Sequence, residues 1–341
     1  MTPPLLKRKT PRRYAPLGVW LARLLLAMCL AFFSEIFLWS DVDRPLWHWL
    51  PVALGYLAAA ALLLGLIVRF AVRDIFGLLM VAGVYAALAG LVLNPAVSLT
   101  LMPDTLVTRV MGAQFVAGAL ALGLFLVLMR GGWPGRAGVL TAAGLGAIWG
   151  GWVRGYPLIT GQPEAVPQTV TLVLVGLLAA LSIAGLRVWL GRLAQKIDAE
   201  QLRLRSTELG GVVAILVALA VLWIQLGFVP TAAITPLVLI ITYCLAALWF
   251  QESLQADSLL HAQTGLPAVS VRWMSLGLAL MAFLLTGALV FQLPAPSNDE
   301  FGVLSLMTAF YGFLGIAWLP AVSVVLGVQA YRRQDRTGKM L

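Results

Sequence analysis

Residues 16–39 read PLGVWLARLLLAMCLAFFSEIFLW. About 20 apolar residues suffice to cross about 30 Å of hydrocarbon as a helix, and this run has the length to do so. Its two flanks differ. Lys7, Arg8, Lys9, Arg12 and Arg13 precede it, and Asp41, Asp43, Trp47 and Trp49 follow it. Basic residues are retained on the cytoplasmic side of a bilayer, so the N-terminus is expected inside. The run is too long and too charged for a cleaved signal peptide, and no A-x-A site follows it; it is expected to be retained. Two charges, Arg23 and Glu35, stand inside it.

The same pattern recurs throughout the 341 residues, of which 61% are hydrophobic and 11% charged. The mean hydropathy is +0.95. Soluble domains carry about 25% charged residues. The apolar runs are continuous rather than alternating, so the spanning elements are helices and not the strands of a barrel. The fold class expected is an all-α polytopic integral membrane protein of about ten transmembrane helices, both termini cytoplasmic. The net charge of +9 is read as inward-retained basic residues, which also attract anionic lipids at the cytoplasmic face. Nucleic acid is excluded as a partner, because no basic and aromatic surface suited to it exists. Cys29 and Cys244 lie in separate apolar runs without a CxxC spacing, so neither a metal nor a redox site is expected.

After the first span, further runs cover residues 49–68, 75–93, 106–129, 137–153, 169–190, 211–228, 232–250, 271–293 and 301–331. With ten spans, Arg69, Arg73, Arg130, Arg136, Arg187, Arg192, Lys196, Arg203 and Arg205 fall on the inner side with both tails. Only Arg44, Arg109 and Arg154 fall outside. A wrong span number would scramble that separation. Tryptophans near span ends, such as Trp39, Trp47, Trp49, Trp152, Trp189, Trp249 and Trp273, are expected in interfacial belts.

The division expected is a basic tail (1–15), a first membrane half (16–186), an amphipathic cytoplasmic helix or linker (187–210), a second half (211–331) and a basic tail (332–341). Asn94-Pro95-Ala96-Val97-Ser98 and Leu266-Pro267-Ala268-Val269-Ser270 occupy corresponding places in two five-span halves. That would fit an inverted repeat. A third copy, Pro320-Ala321-Val322-Ser323, fits no repeat, and chance in an Ala- and Val-rich chain accounts for the matches better.

Charge inside a membrane is costly and marks function or a structural pair. The candidates are Glu35, Asp104, Arg109 and Arg154, with Gln114 and Gln225 as notable neutral polar residues. Glu35 is expected to pair with Arg109 or Arg154 at the outer boundary, and Arg23 to snorkel inward. Gly138, Ala142, Gly146 and Gly150 recur every four residues and form a ridge on which another helix can pack closely. Pro236 and Pro320 are expected to kink or break their spans. His48 and His261 are expected on opposite sides, so no metal or haem site, and no cofactor, is anticipated. The glycines of 130–135 lack the Lys-Ser/Thr of a phosphate loop.

The function expected is that of a non-catalytic multi-pass protein of the cytoplasmic (plasma) membrane, a subunit or assembly partner of a larger membrane complex. A five-plus-five arrangement with both ends inside resembles the drug/metabolite transporter architecture, which would imply a transporter or flippase-like protein. Asp41-Val42-Asp43 after the first span resembles the acidic first outer loop of membrane glycosyltransferases that use lipid-linked sugars. That resemblance implies an outward-facing catalytic site on Asp41, Asp43 and Arg109, although those enzymes have a much longer loop.

Overall fold

The computed structural model describes residues 16–40, 44–130, 135–159, 166–193, 199–252, 259–260, 272–294 and 303–337. Among the described residues every regular element is helical and there is no strand. The chain is an all-α polytopic membrane protein. Backbone groups in hydrocarbon must be satisfied within the segment, and long apolar helices do this.

Among the described residues ten long helices follow one another. The first is α1 (Pro16–Ala31), which runs on as a π-helix (Phe32–Phe37). Next are α2 (Leu46–Arg69) and α3 (Ile75–Leu88), the latter continuing as a π-helix (Ala89–Leu93). The fourth begins as a π-helix (Leu106–Gln114) and becomes α4 (Phe115–Met129). Then come α5 (Gly135–Ile159), α6 (Thr169–Leu193), α7 (Ser206–Gln225) and α8 (Thr231–Glu252). The last two are α9 (Trp273–Phe291) and α10 (Val303–Thr337).

Among the described residues nine of these are long and apolar enough to cross a membrane. The other is α5, whose many glycines lower its hydropathy although it spans Gly135–Ile159. α8 and α10 run uninterrupted through Pro236 and Pro320. The stretch from Arg187 is helical to Leu193; Ala199–Leu202 form a short turn, and α7 begins at Ser206.

The local signals are ordinary ones. The Asp74 carboxylate accepts from the Gly77 amide at 2.8 Å and so caps the start of α3. Glu208 in the first turn of α7 accepts from the Arg205 amide at 3.2 Å.

The helices form two shells. In the most apolar stretches of the first three spans 72% of residues are buried, and in the fourth 56%. In the five later spans of that set the share is 17–22%. α1 to α4 are therefore an inner bundle, and the later helices wrap it. α6 lies on α1, α7 on α2 and α8 on α3. The most extensive pair is α5 with α9. A Cβ on Gly146 would fall 2.1 Å from the Phe283 carbonyl oxygen, and one on Gly150 2.1 Å from that of Gly287. Only glycine permits this approach. Gly138 is buried and Ala142 half-buried on the same helix.

Two expectations about side chains change. Trp39 and Trp152 are buried in the protein rather than set in an interfacial belt, while Trp47, Trp189, Trp249 and Trp273 are exposed. Arg23 does not snorkel. It is 1% exposed, 3.2 Å from Glu208 of α7, with its guanidinium 4.8 Å from the Trp20 ring centroid. A nearby carboxylate on a neighbouring helix removes the reason to reach for the interface.

Candidate functional site

The three π-segments meet at one end of the inner bundle, and their polar residues join there. In a π-helix the hydrogen bonds run from i to i+5, so one residue is added per turn and nearby carbonyls are left partly free. Three indoles take up such carbonyls. Trp149 Nε1 donates to Ile36 O at 2.9 Å, Trp152 Nε1 to Leu38 O at 2.6 Å and Trp223 Nε1 to Val92 O at 2.6 Å. Two residues beyond the π-segment of α1 stands Trp39, whose φ of 51° is in the left-handed region. That conformation costs a bulky side chain on the order of 1–3 kcal/mol. It is held by the Trp152 bond and by Ser40 Oγ donating to Ser34 O at 2.7 Å.

Within this frame lies a continuous buried polar chain. The Glu35 Oε1 accepts from Tyr56 Oη at 2.6 Å and from Arg44 Nη1 at 3.2 Å. Arg44 Nη2 donates to Asn94 Oδ1 and lies 3.5 Å from Leu93 O. Asn94 Nδ2 donates to Ser34 Oγ at 3.0 Å, and Ser34 Oγ donates to Gln114 Oε1 at 2.8 Å. The Arg44 guanidinium is also 4.9 Å from the Trp49 ring centroid. Ser34, Glu35, Arg44, Asn94 and Gln114 are all buried. The Tyr85 hydroxyl of α3 is buried in the same region and makes no hydrogen bond among the described residues.

Among the described residues the cluster carries one positive and one negative charge, and it ties all four inner helices together: Ser34 and Glu35 from α1, Tyr56 from α2, Asn94 from the end of α3 and Gln114 from the start of α4. Charge-assisted hydrogen bonds of this kind, deep in apolar surroundings, fix helix register strongly.

The residues singled out in the sequence fall in different places. Glu35 is at the centre of the cluster, but its partner is Arg44 rather than Arg109 or Arg154. Arg109 donates to the Tyr156 hydroxyl of α5, with its guanidinium 4.8 Å from that ring centroid. Arg154 faces Phe291 of α9 at 5.7 Å. Asp104 is exposed and takes no part. Asp41 and Asp43 lie outside the described residues. Gln114 belongs to the cluster; Gln225 ends α7. Cys29 and Cys244 are free and buried.

The sequence reading missed Arg44, Ser34, Asn94, Tyr56 and Tyr85 as site residues. Arg44 stands nine positions after Glu35 and looked like a loop charge. Asn94, before Pro95 at the end of an apolar run, was the one available signal for a break in helix α3.

These features define a polytopic helical membrane protein with a buried, hydrogen-bonded polar cluster near one end of its inner bundle. No protein-family model, no curated protein and no solved structure matches the chain.

Proposed function

We propose that this protein is a non-catalytic integral protein of the cytoplasmic (plasma) membrane, with both termini inside, that serves as a subunit or assembly partner of a larger membrane complex. The observation that carries this reading is the inward engagement of its charges. Glu35 is bonded to Arg44 and Tyr56, and Arg23 to Glu208. A solute path or a catalytic centre presents such groups to a ligand. The thinly buried outer helices supply the apolar surface that an assembly partner needs, with Leu140, Leu178 and Phe313 among their exposed side chains.

Extraction from native membranes in mild detergent, followed by sizing and cross-linking mass spectrometry, tests the reading. A stoichiometric membrane partner cross-linked to α5–α10 is expected. A lone monomer overturns it.

A second reading, a transporter or flippase-like protein, is favoured by the three π-segments, since π-bulges cluster at functional sites. It requires solute or lipid flux in proteoliposomes that Glu35→Gln abolishes. Flux unchanged by that substitution removes it.

A further inference from the structure

Between them α2, α3, α7 and α8 leave an apolar groove of about 510 Å³. It is lined by side chains such as Leu66, Leu88, Val213 and Ile241, and among the described residues its charged lining side chains are Arg69 and Arg203. Arg69 closes α2, Arg203 lies just ahead of α7, and a Cβ on Gly65 of α2 would meet Leu204 at 3.1 Å, so both arginines belong to the same end of the groove. Both arginines are exposed, and no acidic residue among the described ones lines the site. Pockets that hold small organic ligands measure about 300–1,000 Å³. The groove is thus large enough for a ligand, apolar along its length and cationic at one mouth.

We infer that this groove binds an anionic phospholipid, with an acyl chain between α2, α3, α7 and α8 and the phosphate on Arg69 and Arg203. The helices that form it cross the bilayer, so lipid is what surrounds the opening. Guanidinium binds phosphate with paired, charge-assisted hydrogen bonds. Basic pockets between transmembrane helices recognise anionic headgroups in this way. The charge also argues against the chain's own N-terminal segment as occupant, because Lys7, Arg8, Lys9, Arg12 and Arg13 would meet two arginines. The inference is independent of the subunit reading above and survives its failure.

The test uses the full chain in mild detergent. Native mass spectrometry and thermal unfolding are followed as phosphatidylglycerol, phosphatidylcholine with the same acyl chains, or glycerol phosphate is added. One retained phosphatidylglycerol per chain is expected. Its affinity should exceed that of phosphatidylcholine by about 25-fold, roughly fivefold from each arginine near the surface. The Arg69→Gln/Arg203→Gln pair should erase that preference, and Val213→Trp should weaken both lipids by filling the groove. Equal affinity of the wild-type protein for the two lipids overturns the proposal. So does a preference that survives the double substitution, or glycerol phosphate competing as well as the whole lipid. The wild-type comparison needs no variant, so the result does not depend on how the substituted chains fold.

Discussion

Replacing Glu35 by Gln should cost this protein about 3 kcal/mol of stability, near the lower end of the ~3–5 kcal/mol for breaking a buried ion pair. The structure sets that position within the range. Glu35 and Arg44 are each 8% exposed, so removing the carboxylate charge takes the Glu35 charge away from a buried guanidinium. Three features soften the loss: the amide oxygen still accepts from Tyr56, and Arg44 keeps the Asn94 Oδ1 and the Trp49 face. Glu35→Ala also removes the Tyr56 bond and should cost about 1 kcal/mol more. Adding Arg44→Met to Glu35→Gln removes the buried guanidinium as well, and about 2 kcal/mol should return, because buried pairs are often no better than apolar replacements. Reversible unfolding in SDS mixed micelles, followed by the fluorescence of the 12 tryptophans, measures all four proteins. A cost for Glu35→Gln below about 0.5 kcal/mol would match a solvated surface pair. It would refute the view that this cluster is dry and holds the four inner helices together.

Other substitutions probe other links. Gly150→Ala should destabilise by about 1–3 kcal/mol in the same unfolding assay, through overpacking against the α9 backbone, because its Cβ would fall 2.1 Å from the Gly287 oxygen. Gly144→Ala on the same helix meets nothing within 4 Å and should stay within about 0.5 kcal/mol of wild type. Trp223→Phe strands the Val92 carbonyl of the α3 π-segment and should cost about 1–3 kcal/mol, read by SDS unfolding and faster amide exchange at 92–94. In intact cells, Leu101→Cys, at a site 72% exposed, should react with an impermeant maleimide while Arg130→Cys should not. The buried Cys29 and Cys244 give little background. The reverse labelling pattern would invert the expected orientation.

The spans were legible because apolar length is a local property, written wherever a helix must cross hydrocarbon. The two shells were not. The third and the sixth helices are equally apolar, yet 72% of the core stretch of one is buried and 17% of the other. Lipid tails and helix partners are alike in polarity, so composition cannot tell a helix that faces lipid from one that faces protein. Glu35 was legible as a costly charge, and its partner was not. Helical periodicity assigns faces on 3.6 residues per turn, and the π-segments that carry Glu35, Arg109 and the approach to Asn94 break that count. Arg44 sits in a connection, where no periodicity applies. The small-residue ridge on α5 could be read because its spacing lies in an unbroken α-helix. That α9 sits on it could not.

The two buried ion pairs seen among the described residues differ in how long they take to exist. Glu35 and Arg44 are 9 residues apart, whereas Arg23 and Glu208 are separated by 185. At a synthesis rate of roughly 5–20 residues per second, the first pair can close within about two seconds, and the second must wait about 10–40 s. During that interval α1 resides in the insertion machinery or the bilayer with a cation that has no counter-charge. Until the seventh helix emerges, the Arg23 guanidinium has the inner headgroup region within reach of its own stem, and the order of translation becomes part of how this fold is reached.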